Sequence, residues 1–131
     1  MDSAFRLFAD KGIVFSLNEV AKEVGIQKAS IYAHFASKED LMYAVIDREA
    51  NEYFLEINEH CQDLKSMFYL ILNYYDKSKA KLYFWKRILL LPPKSIEVIL
   101  NDKVNILSAQ RFELVKRIIA LDIDRGIIRR Q

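Results

Sequence analysis

Residues Ser16 to Leu41 read SLNEVAKEVGIQKASIYAHFASKEDL, three short segments with helical spacing and sharp punctuation. Leu17, Val20, Ala21 and Val24 recur at i, i+3, i+4 and i+7, the apolar stripe of one helix face. Ser16 with Glu19 three residues on has the form of a capping box, so a helix is predicted to start at Ser16. Gly25 can take the left-handed conformation that ends a helix, and Ile26 is placed to cover the turn. A second helix begins near Gln27, and Ser37 with Asp40 marks the N-cap of a third. The spacing therefore predicts a helix-turn-helix and its exit helix.

In the second helix Ile31 and Phe35 lie one turn apart and point inward, which leaves Ala29, Ser30 and Ala33 on the opposite side, flanked by Lys28, Tyr32 and His34. Small side chains let a helix backbone approach a major groove, and Lys28, Ser30, Tyr32 and His34 can donate to phosphates or base edges. Each residue taken alone has a blander explanation. Tyr32 can cover a helix contact, and Lys28, His34 and Lys38 can be ordinary solvated side chains. Taken together on a capped helix-turn-helix, they favour DNA contact. Lys38 sits in the first turn of its helix against the dipole preference, so it calls for a further reason.

The run FADKGIVFSLNEVAKEVGIQKASIYAHFASKEDL, from Phe8 to Leu41, resembles the N-terminal DNA-binding domain of the tetracycline-repressor (TetR) family of bacterial transcription regulators. The similarity lies in Phe8 and Gly12 ending a first helix, Ser16 before the second, the Ala21, Gly25, Ile26 core of the turn, Ser30-Ile31-Tyr32 with His34-Phe35, and Ser37 to Leu41. It covers about the first third of the chain. Gln27 and Ala33 depart from the family pattern, which often has a better capping residue and a larger side chain there. The resemblance implies phosphate contacts from Ser16 and Lys38, a DNA-backbone contact from Tyr32, and base edges facing Asn18, Lys28, Ala29, Ser30 and His34. It further implies a palindromic operator, a homodimer and a ligand-responsive repressor. The chain opens already inside helix one and stops about where the family's dimer-forming last two helices would begin, so it is expected to be trimmed at both ends.

Composition agrees with an all-α protein: three Gly and two Pro interrupt 131 residues that are 52% hydrophobic, and no run of strict apolar and polar alternation argues for a strand. The net charge is only +2, and Met1 to Arg48 holds six Lys and Arg against seven Asp and Glu. Bulk charge therefore does not argue for nucleic acid. Attraction to phosphate must come from a few placed cations and helix N-termini. A single Cys, Cys61, excludes an intrachain disulfide and fits a reducing cytoplasm. No apolar run approaches the roughly twenty residues that span a bilayer, and the start lacks a signal-peptide pattern. Cytoplasmic residence without membrane association is expected.

Two modules are expected, a helix-turn-helix DNA-binding domain over residues 1–47 and a helical ligand-binding and dimerisation domain over 48–131, joined by a helix from Lys38 to about Glu59. Ala4, Phe5, Leu7 and Phe8 form the inner face of the first helix. Glu49, Glu52, Glu56 and Glu59 read as a solvated face, with a metal site much the weaker alternative. Leu64 to Tyr75 forms an amphipathic helix, and Ser78 to Lys81 reads as a loop or polar turn. Leu82 to Leu91, LYFWKRILLL, is apolar on nearly all sides and so is expected to be buried, with Pro92-Pro93 ending it. A last helix begins near Lys94 with a core stripe of Ile96, Leu100, Val104, Leu107, Leu114, Ile118 and Leu121. Gly126 stops it, and Arg129-Arg130 trails off.

The aromatic side chains of the second half either fill a core or line a cavity for a small hydrophobic or aromatic effector. Tyr74, Tyr83 and Trp85 are the candidates for such a pocket, because their polar tips can orient a ligand. Neither a cofactor motif nor a metal motif is present, and no Ser/His/Asp, Cys/His or Gly-rich phosphate arrangement argues for an enzyme. The alternative to a DNA-binding regulator is an all-helical protein-interaction module.

Overall fold

The computed structural model describes residues 1–129, with the side chain of Ile99 excepted. Arg130 and Gln131, the end of the expected second domain, lie outside the described residues. The chain is all-α. Its helices are α1 (Asp2–Lys11), α2 (Leu17–Val24), α3 (Lys28–Tyr32), α4 (Lys38–His60), α5 (Leu64–Asp76), α6 (Lys79–Leu90) and α7 (Glu97–Asp124), with 3-10 turns at Gly12–Val14 and Lys94–Ile96. Among the described residues there is no strand, and no helix is long and apolar enough to cross a membrane.

Local signals set the head. The Ser16 hydroxyl accepts from the Glu19 N–H at 3.1 Å while the Glu19 carboxylate accepts from the Ser16 N–H at 2.7 Å, a complete capping box. Gly25 ends α2 at φ 76°, ψ 29°, a left-handed conformation that glycine adopts without a Cβ penalty. Ser37 caps α4 by accepting from the Asp40 N–H at 3.1 Å. Between these, α3 is a short helix whose N-cap, Gln27, makes no side-chain cap bond. Leu17, Val20, Ala21, Ile31 and Leu41 turn inward onto Phe8 and Phe15, both fully buried.

The body is α4 to α7, and its core is continuous with that of the head. Val45, Ile46 and Ala50, on either side of the expected 47/48 boundary, belong to one buried cluster. The joint between α1 and α6 is aromatic: the Phe84 ring lies 5.0 Å from Phe5 and 5.4 Å from Phe8. At the same joint Arg87 donates to the carbonyls of Ala9 at 3.1 Å and Asp10 at 2.8 Å, the last carbonyls of α1. These carbonyls have no partner inside the helix, so the guanidinium acts as a C-cap supplied from 77 residues away. Arg48 ties α4 to the start of α1 through Asp2, and Lys103 ties α7 to Asp47.

Four expectations change. Ser78 to Lys81 is not a loop, because Ser78 caps α6 by accepting from the Lys81 N–H. In LYFWKRILLL only Phe84, Trp85 and Ile88 are buried, and Leu90 and Leu91 are 66% and 78% exposed. One face of α6 packs on α1 and α5, and among the described residues nothing covers the other. Glu49 is not solvated; it is 3% exposed, with Oε1 accepting from Arg48 and Oε2 without a partner. The last helix starts at Glu97, after a 3-10 turn that brings Ile96 into the core.

Candidate nucleic-acid interface

Every residue from Lys22 to Ser30 is exposed, while Val20, Ala21 and Ile31 on either side are buried. The end of α2, the turn and the first turn of α3 thus stand out as one ridge, held from behind by apolar side chains. Lys28, Ala29 and Ser30 occupy the exposed start of α3. Tyr32 is 48% exposed, and Lys28 Nζ lies 5.8 Å from its ring centroid, so the two form one amphipathic unit. Asn18 is exposed in the first turn of α2. His34 is exposed but lies in the turn beyond α3, where its N–H donates to the Ile31 carbonyl at 3.0 Å. Lys22 and Gln27 share the ridge; Lys22 escapes sequence reasoning because it fits neither the apolar stripe nor a cap, and in sequence Gln27 reads only as a capping position.

Two expected phosphate ligands have prior engagements. The Ser16 oxygen is spent on the capping box, although its hydroxyl hydrogen remains a donor. Lys38 Nζ donates to the Phe15 carbonyl at 2.5 Å and lies 4.8 Å from the Phe15 ring centroid. This supplies the further reason for a lysine at a helix N-terminus. Two of its three N–H bonds stay available. Near the ridge, the bond from Lys11 at 2.6 Å and the Ser16 N–H hold the Glu19 carboxyl below its ordinary range, so it stays a carboxylate, and the Lys11 ammonium offsets its charge.

The body holds a cavity of about 80 Å³ among α4, α5, α6 and α7, lined by Tyr53, Phe54, Tyr75, Trp85, Leu89 and Arg111 among others. Of the three aromatic candidates only Trp85 reaches it. Tyr74 is 4% exposed and accepts the Trp85 indole N–H at 3.0 Å, so it positions Trp85 from the far side. Tyr83 is 52% exposed and lines a separate open groove with Arg6, Asp10 and Arg87. Burial raises the phenol pKa of Tyr53, Tyr74 and Tyr75 above the ordinary range, so all three stay neutral at physiological pH. Tyr53 and Tyr75 line the cavity because α7 lies opposite them, which periodicity does not report. Among the described residues no three His, Cys, Asp or Glu side chains gather to hold a metal ion.

Comparison with known proteins bears on the head. Residues 1–45 match the family of bacterial regulatory proteins, tetR family. HTH-type transcriptional regulators of Staphylococcus aureus, from strains bovine RF122 / ET3-1, USA300 and NCTC 8325, are each 36% identical to this chain over 64 residues, covering 48% of it and 35% of theirs. The matched segment is thus about a third of the length of these relatives.

Proposed function

We propose, from the match of residues 1–45 to the tetR family of bacterial regulatory proteins, that the protein is a ligand-responsive repressor that binds a palindromic operator as a homodimer in the cytoplasm. The observation that carries this reading is the exposed ridge from Lys22 to Ser30 on a capped helix-turn-helix. In the proposed docking α3 enters the major groove by its N-terminal turn. Lys28, Ala29 and Ser30 face base edges, with Asn18 and His34 beside them. Tyr32, Ser16 and the remaining N–H bonds of Lys38 reach the DNA backbone.

A single α3 reads too few base pairs for a specific site. Two copies on a two-fold axis place their recognition helices about 34 Å apart, one turn of DNA, or a multiple of it. Exposed apolar side chains on α7, among them Ile106 and Phe112 at 55% and 63%, offer a partner face. The proposed switch is a change in the angle of α4 and α6 against α1 when the cavity fills, transmitted through Arg87 and Phe84. It requires different ligand affinity in the two states.

Selecting bound fragments from random DNA tests the reading. The expected result is a consensus with two-fold symmetry. Recovery of no enriched sequence overturns it.

A further inference from the structure

The seam of α7 runs Leu100, Val104, Leu107, then position 111, then Leu114 and Ile118, at alternating spacings of four and three. Every one of these positions is Leu, Val or Ile except 111, which is arginine. Arg111 is exposed, so its guanidinium keeps its hydration at the rim of this seam and is a charge that a ligand can reach. Arg111 faces the cavity, with its guanidinium carbon 5.7 Å from the Tyr53 ring centroid. Among the described residues no carboxylate lies within ion-pairing distance of it, in contrast to Arg48 and Lys103, which both have acidic partners. The residues lining the cavity include no Asp or Glu, so its one formal charge is positive.

We infer that the cavity among α4, α5, α6 and α7 binds a small organic monocarboxylate, its apolar body among Tyr53, Phe54, Tyr75 and Trp85 and its carboxylate on Arg111. The planar guanidinium carries five N–H donors, so its contact with Tyr53 leaves a pair that matches a carboxylate. Ser108, one turn earlier on α7 and also at the cavity, adds a hydroxyl donor. The volume of about 80 Å³ is smaller than the roughly 150 Å³ cavity that takes up benzene. The enclosed part therefore admits a short acyl chain or part of one ring, and the rest of the ligand, with its charged end, lies at the open mouth beside the exposed Arg111 and Ser108. Cationic ligands are disfavoured by the same guanidinium.

This inference rests on the ligand-responsive reading of the cavity, and its test is done without DNA. The protein is titrated with benzoate, hexanoate, benzyl alcohol and benzylamine, following the emission of Trp85, the only tryptophan, together with Tm. Benzoate or hexanoate is expected to shift the emission saturably and raise Tm, with benzyl alcohol at least tenfold weaker and benzylamine without effect. Arg111→Gln is expected to weaken the carboxylate roughly ten- to a hundredfold, the loss of a charge-assisted pair, and to leave benzyl alcohol within about twofold. Equal affinities for the carboxylate, alcohol and amine, an unchanged carboxylate affinity in Arg111→Gln, or no response to any probe overturns the inference. Failure here leaves DNA binding standing. A carboxylate complex that does not loosen the operator complex keeps the site and removes the ligand-responsive reading.

Discussion

Lys38 and Phe15 are 23 residues apart, yet the lysine ammonium donates to the phenylalanine carbonyl at 2.5 Å and lies 4.8 Å from the centroid of its ring. The contact joins the start of α4 to the residue that leads into α2. It thereby fixes the angle between the exit helix and the reading unit, and it brings a cation to the edge of the proposed DNA face.

Removing that cation should therefore be felt with and without DNA. Lys38→Ala is expected to destabilise the free protein by about 1–2 kcal/mol, from one partly buried charge-assisted hydrogen bond and a cation–π contact, which is a fall in Tm of several degrees. If a second N–H reaches a phosphate, the salt dependence of operator binding falls by about one unit. An unchanged Tm in the free protein contradicts the role of Lys38 as a strut.

Substitutions on the ridge should separate docking from reading. Lys28→Ala and Asn18→Ala are expected to change the preferred bases at particular operator positions, each worth about 1–3 kcal/mol of discrimination, with little effect on Tm because both side chains are exposed. Repeating the random-DNA selection with each variant checks this. A consensus identical to that of the unaltered protein places these residues away from the bases.

Arg87→Ala removes the bonds to the Ala9 and Asp10 carbonyls and leaves the end of α1 uncapped. The expected cost is about 1–3 kcal/mol, with faster amide exchange concentrated in α1 and the Gly12 turn. Exchange that rises evenly over the chain, or not at all, argues against a clamp at this joint.

The buried phenols set an alkaline limit. Burial raises the pKa of Tyr53, Tyr74 and Tyr75 above the ordinary value of 10.0. The unfolded chain releases these protons near pH 10 while the folded chain holds them, so stability is full below pH 10 and falls as pH rises through it. Urea midpoints measured between pH 8 and about pH 11 should decline from about pH 10, and Tyr74→Phe should flatten the decline. In that variant the Trp85 indole N–H loses its acceptor, at a cost of about 1–3 kcal/mol at neutral pH.

Much of the head could be read from sequence because its determinants are local. The Ser16 and Glu19 box, the turn at Gly25 and the Ser37 cap each act within four residues, and each appears where its pattern stands. What could not be read depends on tertiary neighbours. The acceptor for Lys38 is a backbone carbonyl, which leaves no mark in sequence, and the same is true of Arg87 on Ala9 and Asp10. Glu49 looked solvated because Glu52, Glu56 and Glu59 repeat its type, but only Glu49 turns into the core. The apolar run of α6 was legible as helix, though not which of its faces would be covered. Tyr74 was singled out for its polar tip, and that tip is occupied by Trp85.

The central claim is that α3 distinguishes one DNA sequence from another. Titrating the protein against the selected operator and against a scrambled duplex of the same length and composition, at one stated salt concentration, measures this directly. The account predicts binding to the operator at least about a thousandfold tighter than to the scrambled duplex, the difference shrinking when Lys28 and Ser30 are both replaced by alanine. Equal affinity for the two duplexes, with the same dependence on salt, would contradict it.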